Sequence, residues 1–440
     1  MAKDAGTGDR VKIITRDAEH EGVLMPEEKE FLVVKLDSGY NVGVAKASVK
    51  EVKLLEKKKE PAKQQIKPLP KRALPKISIL HTGGTIASKV DYVTGAVVAR
   101  FAPEELIAMF PELGEIASIS SRLISNMFSE DIRFSHYNII AKEIEKEIAA
   151  GAAGVIVTHG TDTLHYASAA LAFMLQDLPV PVILVGSQRS SDRPSTDAAL
   201  NLVSAVFFAL RSDFAEVCVC MHENIDDESC AILPATKCRK MHTSRRDTFK
   251  AINTLPWARV NFSERKIEFL RAGYRKKAKG KLKIFPMKEN IKVGLLKVHP
   301  NMFAGEILAY KGFDGLILEG TGLGHAPINE IDSLTKEHAK IFDALNGLIK
   351  SGTVVAMASQ AIYGRIDMNV YSTGRRLIEA GVLGNYCDMT PETAFIKLAW
   401  LLSNHPKEKA RELFGKNLAG EISERLEKIN DAKAGDKRAD

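Results

Sequence analysis

The sequence predicts an α/β protein with two lobes built on parallel sheets, preceded by a small all-β, SH3-like barrel. Two observations lead to this fold class: apolar runs alternate with helical stretches after residue 77, and short β-rich segments fill the region before residue 57. Continuous β-branched runs that alternate with helices are typical of parallel sheets covered on both faces. The chain has 440 residues, which suffices for two or three domains.

Residues 1–56 are predicted to form the barrel, because short β-rich segments are separated there by polar turns. These segments are Val11–Ile14, Gly22–Met25, Phe31–Leu36 and Tyr40–Val44. Residues 57–76 follow, with eight basic residues, one acid and four prolines. Because proline removes backbone donors and like charges repel, we expect an extended linker and a domain boundary there.

The two lobes are predicted at residues 77–290 and 291–440. In the first lobe we expect strands at Ile77–Leu80, Gly154–Val157 and Val182–Val185, with helices at Tyr166–Leu175 and Ala198–Leu210. In the second lobe we expect strands at Val293–Leu296, Gly315–Leu318 and Val354–Met357, and a charged helical tail from Lys407. Residues 271–283 carry seven basic residues and no acid, which predicts a hairpin or loop projecting from the body. Such a loop is either merely solvated or a contact for RNA or a partner.

The composition narrows the class of protein. No apolar run approaches the ~18–20 residues of a membrane helix, and the first sixteen residues lack the apolar core of a signal peptide. We therefore expect a cytoplasmic protein. Cys218 and Cys220 form a C-x-C pair in an apolar stretch, which favours a buried strand with reduced cysteines over a zinc site. The net charge of +7 suits an RNA-handling partner, or equally a solvated lysine-rich surface.

Two polar clusters follow predicted strands directly, at His81–Ala87 (HTGGTIA) and Thr158–Thr163 (THGTDT). In open parallel sheets, ligands bind beyond the carboxyl ends of the strands, so both clusters should lie at one edge of one sheet. A threonine hydroxyl is a poor nucleophile unless a neighbouring base takes its proton, and either histidine or a neutral lysine can do so. His81 and His159 are candidates, although strand alternation can direct both away from the threonines. The glycine pair lacks the spacing of a phosphate loop.

The segments TGGTIA at Thr82–Ala87 and HGTDT at His159–Thr163 resemble the two signature motifs of the L-asparaginase family. The similarity runs from about Ile77 to about Asn404. The resemblance implies an L-asparaginase-like fold of two α/β domains, with the catalytic site in the first, and hydrolysis of a side-chain amide. A catalytically inactive scaffold of this family is the alternative.

The family's functional residues map onto this sequence one by one. Thr85 matches the first catalytic threonine, which the resemblance implies to be the nucleophile, and Tyr92 resembles the flexible-loop tyrosine that assists it. Ser125 and Asn126 lie near the place of the segment that grips the substrate.

Three further positions complete the set. Thr161 and Asp162 match the second threonine and its aspartate, and Lys240 occupies the place of the catalytic lysine. The resemblance implies that Thr85 forms an acyl ester and that Thr161 and Lys240 prepare the water that hydrolyses it.

The N-terminal region distinguishes the branch of the family. Gly8–Val11, Glu21–Leu24 and Lys35–Gly43 resemble the first domain of the D subunits of archaeal-type glutamyl-tRNA(Gln) amidotransferases, and so does the segment Asn126–Asp131. That resemblance implies a glutaminase that supplies ammonia for conversion of Glu-tRNA(Gln) to Gln-tRNA(Gln).

The same resemblance implies a set of partners. It implies that a second protein, the E subunit of the amidotransferase, holds the charged tRNA, with ATP and magnesium bound there and no cofactor or metal in this chain. It also implies a homodimer within a hetero-oligomer of two copies of each subunit. The alternatives are a stand-alone asparaginase or glutaminase with an accessory domain, and an RNA-binding module with a vestigial hydrolase fold.

Overall fold

The computed structural model describes residues 5–25, 30–37, 41–57, 74–84, 86, 88–90, 97–99, 106–107, 109–190 and 195–425. Most of the predicted linker therefore falls outside the described residues. None of the helices in the described ranges is long and apolar enough to cross a membrane.

The N-terminal domain is a five-stranded antiparallel sheet with the order β4-β3-β2-β1-β5. Its strands are β1 (Arg10–Thr15), β2 (Glu19–Leu24), β3 (Phe31–Lys35), β4 (Asn41–Ala45) and β5 (Val49–Glu56). The four predicted segments are confirmed as strands, and β5 is an addition. Its sequence, VKEVKLLE, has exposed or half-buried residues on both faces, so it lacks the apolar alternation that reveals a strand.

The first lobe is built on an eight-stranded sheet with the order β18-β17-β14-β13-β12-β10-β6-β9. In chain order, its strands and their small satellite pairs are β6 (Lys76–His81), β7 (Ser88–Val90), β8 (Val97–Ala99), β9 (Ser118–Leu123), β10 (Gly154–Thr158), β11 (Leu175–Gln176), β12 (Val182–Val185), β13 (Val217–His222), β14 (Cys230–Pro234), β15 (Cys238–Lys240), β16 (Phe249–Ala251), β17 (Ala258–Asn261), β18 (Lys266–Phe269) and β19 (Lys283–Ile284). Its helices are α1 (Pro111–Ile116), α2 (Phe134–Ala149), α3 (Leu164–Met174) and α4 (Ala198–Arg211).

The sheet is parallel only from β9 to β13, because β14, β17 and β18 pair antiparallel to their neighbours. The three strands that the sequence predicts in this lobe, β6, β10 and β12, are parallel as expected, and the antiparallel strands at the other edge are additions. The strand β14 is fully buried and has the continuous apolar run that is typical of parallel strands, so its sequence does not reveal its antiparallel direction. Cys218 and Cys220 lie on the buried strand β13, as the C-x-C pattern predicts, and all five cysteines are buried free thiols.

The second lobe carries a parallel sheet with the order β20-β21-β22. Its elements are β20 (Val293–Lys297), α5 (Ala304–Leu308), β21 (Gly315–Gly320), α6 (Lys336–Lys350), β22 (Val354–Ser359), α7 (Ser372–Ala380), α8 (Pro391–Asn404) and α9 (Lys407–Phe414). The three predicted strands and the charged tail helix are confirmed, although the chain is irregular from Gly415 to Arg425.

One hydrophobic core joins the two lobes. The helix α8 belongs to the second lobe, yet Trp400 on α8 stacks against Phe173 on α3, with the two ring centroids 5.6 Å apart. On its other side α8 packs over the second sheet, where Leu398 is fully buried with Ile317. The helix α8 therefore lies between α3 of the first lobe and the sheet of the second lobe, which fixes the two lobes against each other.

The basic segment 271–283 lies against the body rather than projecting from it. The ring of Tyr274 stacks on Phe269 with centroids 4.7 Å apart, and the Lys277 amine donates to the Ala209 carbonyl over 2.6 Å. The prediction of a projecting loop is wrong because the aromatic ring and the lysine stem bury apolar area. Lys279 and Lys281 remain exposed to solvent.

Candidate active site

The two threonine-containing turns lie side by side at one edge of the sheet, as the sequence predicts. The parallel strands β6 and β10 are direct neighbours, and His81 is paired with Thr158 at their carboxyl ends. Thr82 joins the turns through two hydrogen bonds to the Thr158 carbonyl, from its amide over 3.1 Å and from its hydroxyl over 2.9 Å. The turns therefore form one rigid backbone unit.

Glycine is required where the turns meet. Gly83 and Gly84 have φ values of +114° and +85°, in the left-handed region that side chains rarely adopt. A Cβ on Gly84 would lie 2.9 Å from the Gly160 nitrogen, and one on Gly83 would clash with the Met127 carbonyl oxygen. Both glycines therefore allow a positive φ and let the first turn pack closely against neighbouring backbone.

Thr161, Asp162 and Lys240 form a hydrogen-bonded cluster at this edge. The Lys240 amine donates to the Thr161 hydroxyl over 2.9 Å and to the Asp162 carboxylate over 2.7 Å. The Lys240 side chain is 11% exposed, whereas that of Asp162 is 69% exposed. In its neutral form the same amine is placed to take the proton of the Thr161 hydroxyl.

Lys240 reaches the cluster from a distant part of the chain. It ends the strand β15, which pairs with β16 in the register Lys240 opposite Phe249. Phe249 is buried, so the hairpin is anchored in the core while its tip lies at the site. The structure thus brings together three of the residues that the sequence indicates, Thr161, Asp162 and Lys240. Of these, Thr161 and Lys240 are 79 positions apart in the chain.

The remaining predicted residues divide into two groups. Thr85 and Tyr92 lie outside the described residues. The Ser125 hydroxyl donates to the Thr82 carbonyl over 3.1 Å, and Asn126 follows it in the chain. Residues 125–126 are therefore placed against the first turn, and a role for them in gripping substrate stays a prediction.

The two histidines of the motifs lie buried in the sheet. His81 contacts the Thr158 hydroxyl over 2.8 Å and the Ser121 hydroxyl over 3.0 Å, and His159 contacts the Gly160 carbonyl over 2.7 Å. Burial lowers the pKa of His81 to about 3 and that of His159 to about 4. Such imidazoles are weak proton acceptors near neutral pH, and neither histidine contacts Thr161, so both are poorly suited to act as the base.

Two contacts beside the cluster are not predicted by the sequence motifs. A Cβ on Gly186, after β12, would lie 2.7 Å from the Thr161 methyl group, so this third turn touches the threonine directly. The Thr163 hydroxyl donates to the Ser129 carbonyl over 2.6 Å, which ties the second turn to the segment that follows Asn126. Both contacts join residues from separate parts of the chain, and neither follows from a motif.

A pocket of about 430 Å³ adjoins the Lys240 side of the cluster. It is lined by Asp162, His165, Tyr166, Arg239, Lys240, Met241, His242, Thr243 and Glu392. Burial, with smaller effects of Arg239 and Lys240, lowers the pKa of His165 to about 3. Within the described ranges, no group of three or more His, Cys, Asp or Glu side chains is arranged to hold a metal ion.

Three family models match the chain. The "GatD N-terminal domain" matches residues 5–55, the "Asparaginase, N-terminal" model residues 76–273, and the "Glutaminase/Asparaginase C-terminal domain" residues 292–414. Among solved structures, the thermostable L-asparaginase from Thermococcus kodakarensis is 29% identical with a TM-score of 0.69. L-asparaginase I from Vibrio cholerae is 27% identical with the same TM-score of 0.69. Each comparison covers 80% of this chain and 100% of the other.

Two curated relatives match nearly the whole chain, including the N-terminal domain. The D subunit of glutamyl-tRNA(Gln) amidotransferase from Pyrococcus furiosus is 45% identical over 435 residues, which cover 96% of each chain. The protein of the same name from Thermococcus kodakarensis is 45% identical over 432 residues, which cover 95% of this chain and 94% of the relative. With an asparaginase-type hydrolase fold behind a GatD N-terminal domain, the chain belongs to the family of glutamyl-tRNA(Gln) amidotransferase D subunits.

Proposed function

We propose that this chain is the glutaminase subunit of a tRNA-dependent amidotransferase and supplies ammonia for conversion of Glu-tRNA(Gln) to Gln-tRNA(Gln). The observation that carries the proposal is the cluster of Thr161, Asp162 and Lys240 at the carboxyl ends of β6 and β10. A lysine amine, a threonine hydroxyl and a carboxylate in contact form a base, its proton donor and an orienting charge. Near full-length similarity to the amidotransferase D subunits of two archaea supports the same assignment.

The proposed reaction proceeds in two steps. The Thr85 hydroxyl oxygen attacks the side-chain amide carbon of glutamine, the carbon–nitrogen bond breaks, and the nitrogen leaves as ammonia with the proton from the attack. Water then adds to the Thr85 ester, and its cleavage releases glutamate and restores the hydroxyl. Thr161 and Lys240 prepare the water, and Asp162 orients Lys240 through the 2.7 Å contact.

A stand-alone asparaginase or glutaminase is the second candidate, because the similar solved structures are L-asparaginases. Those comparisons cover 80% of this chain, whereas the two amidotransferase relatives match 95–96% of it. The difference includes residues 5–55, which match the GatD N-terminal domain. This domain supports the amidotransferase assignment.

We further propose the assembly in which the ammonia is used. The E subunit of the amidotransferase would hold Glu-tRNA(Gln) and activate its glutamate with ATP and magnesium, so that this chain needs no cofactor of its own. Two copies of each subunit would assemble around a homodimer of this chain. Since charged tRNA is a cytoplasmic substrate, we place the complex in the cytoplasm.

The test of the proposed function measures ammonia released from glutamine and from asparagine, by the chain alone and with its partner subunit and Glu-tRNA(Gln). We expect release from glutamine to rise when partner and charged tRNA are both present. Equal release with and without them would favour the stand-alone hydrolase. Tight tRNA binding without any amide hydrolysis would favour the vestigial fold.

A further inference from the structure

The segment that leads into the strand of Lys240 is attached to the second lobe as well as to its own. The Thr393 hydroxyl donates to the Thr236 carbonyl over 2.9 Å. The Lys237 amine contacts the Asp388 carboxylate over 2.5 Å, one residue further along. These contacts lie immediately before Lys240 in the chain.

A third contact joins the same two segments. The Arg239 guanidinium contacts the Glu392 carboxylate over 2.8 Å. Residues 236–239 are therefore held by residues 388–393 through three successive contacts, which we call the inter-lobe clamp. Its partner segment ends in the first turn of α8, where Thr390 caps the helix and Pro391 occupies its first turn.

The Lys237–Asp388 pair is the buried centre of the clamp. The side chains are 3% and 0% exposed, and the second Asp388 oxygen accepts a hydrogen bond from the Ser423 amide over 3.0 Å. Burial lowers the pKa of Lys237, while Asp388 opposes that change. Removing one partner of such a pair leaves an uncompensated buried charge, so separation of the two side chains is strongly unfavourable.

The returning strand of the hairpin is fixed to the same place. Asn253, just after β16, donates to the Asp388 carbonyl over 2.9 Å and to the Gly364 carbonyl over 3.1 Å. Its side-chain oxygen accepts from the Gly364 amide over 2.8 Å, and its φ is +57°. Both ends of the β15–β16 hairpin thus meet the second lobe at Asp388.

We propose that the Lys237–Asp388 pair positions Lys240, so that the second lobe sets the geometry of the catalytic amine in the first. The proposal rests on the proposed function, in which Lys240 acts in glutamine hydrolysis. Lys237 lies in the turn just before β15, and Lys240 ends that strand. The three-residue strand Cys238–Lys240 is therefore the short, extended connection between the buried pair and the catalytic amine, with about 3.3 Å of rise per residue. Lys237 acts only as a positioning residue, because in the described structure it is absent from the lining of the pocket beside Lys240.

The size of the effect follows from the geometry that catalysis needs. Lys240 makes two short contacts, to Thr161 and Asp162, and a displacement of about 1 Å lengthens both beyond hydrogen-bonding range. Misplacement of a catalytic group by about 1 Å can cost about a hundredfold in rate. Glutamine binding needs no contact with Lys237, so the Michaelis constant should change little.

The experiment compares Lys237→Met with Lys397→Met in the full chain assembled with its partner subunit. Lys397 is a matched control, because it pairs with Glu421 over 2.5 Å and both side chains are 0% exposed. Its amine also donates to the Lys416 carbonyl, so its hydrogen-bond and ion-pair partners are not clamp residues. Glu421 also opposes the lowering of the Lys237 pKa by burial, which makes Lys397→Met a stringent control, because it perturbs the same buried region without breaking the Lys237–Asp388 contact. Rates are measured per folded molecule, with the folded fraction taken from the thermal unfolding curve.

We expect kcat for glutamine hydrolysis to fall about tenfold to a hundredfold in Lys237→Met, with KM within about twofold of the wild type. In Lys397→Met, kcat should stay within about twofold. Equal kcat in the two variants would overturn the positioning role. A wild-type complex that releases no ammonia from glutamine would instead overturn the proposed function, together with the inference that rests on it.

A double variant, Lys237→Met with Asp388→Leu, separates position from stability. Replacing a buried ion pair by apolar residues often restores stability. We expect the melting temperature to recover towards that of the wild type while kcat stays low. Recovery of both would mean that Lys237 only stabilises the fold, and the inference would be wrong.

Discussion

Replacing Lys240 by methionine removes the amine while keeping an unbranched side chain of similar length. The stem of Lys240 is mostly buried, so methionine retains its packing. The change removes two hydrogen bonds, over 2.9 Å to Thr161 and over 2.7 Å to Asp162. It therefore tests the amine and not the shape of the site.

The expected effects on rate and on stability differ sharply. Loss of a positioned general base typically costs about 10²–10⁴-fold in rate. The ion pair that disappears has one partner, Asp162, that is 69% exposed, and such pairs contribute only about 0–1 kcal/mol to the free energy of unfolding. Lys240→Met should therefore abolish most glutamine hydrolysis with little change in the melting temperature.

The assay couples hydrolysis to amidation of Glu-tRNA(Gln) by the complex of this chain with its partner subunit. In Lys240→Met, we expect glutamine-dependent amidation to fail and added ammonium chloride to rescue it, because the lysine acts only in generating ammonia. Assembly of the complex is verified by size-exclusion chromatography. If ammonium gives no rescue, or if hydrolysis stays within about tenfold of the wild type, Lys240 is not the base of the glutaminase step.

Four further predictions address the nucleophile, the turn, the buried histidines and the N-terminal domain. Thr85→Val should lower glutamine hydrolysis by several orders of magnitude without unfolding the chain, and turnover within about tenfold would exclude Thr85 as nucleophile. Gly186→Ala places a Cβ 2.7 Å from the Thr161 methyl group and should lower kcat about tenfold or more. In the control Gly347→Ala, no atom lies within 4 Å of the new Cβ, so kcat should not change. Equal kcat values in the two variants would show that the Gly186 turn does not position Thr161. Burial lowers the pKa of His159 to about 4, so on acidification the unfolded chain binds the proton before the folded chain does. The contribution of His159 to the free energy of unfolding is therefore present above about pH 6.5 and is lost as the pH falls towards 4. The free energy of urea unfolding should depend less on pH in His159→Gln than in the wild type, and an equal pH dependence would contradict this. A chain that begins near Pro75 should fold and hydrolyse glutamine but couple poorly to its partner, and full amidation by it would refute a docking role for residues 1–56.

The fold is predictable from the sequence where buried residues form a continuous or periodic apolar pattern. The strand at Val182–Val185 and the helix at Ala198–Arg211 follow from a continuous apolar run and from helical spacing. The antiparallel direction of β14 does not, because the sequence CAILP is typical of any buried strand. The strand β5 is missed for the opposite reason, since its alternating charges carry no apolar face.

The candidate site is predictable only as far as motifs extend. Thr161 and Asp162 belong to a recognisable turn, and Lys240 follows from resemblance to the asparaginase family. No motif predicts the inter-lobe clamp. Thr236 and Thr393 are 157 positions apart, and isolated charged residues such as Lys237 are usually found at the solvated surface. Burial of Lys237 depends on the packing of α8 across both lobes, which no local pattern contains.

The most direct test of the account follows the nitrogen atom. The complex of this chain and its partner subunit is supplied with ATP, magnesium, Glu-tRNA(Gln) and glutamine labelled with ¹⁵N in the side-chain amide, and the aminoacyl-tRNA product is analysed by mass spectrometry. The account predicts labelled Gln-tRNA(Gln) with the wild-type chain and none with Lys240→Met unless ammonium is added. Labelled ammonia released by the wild-type chain, with no label in the tRNA product, would contradict it.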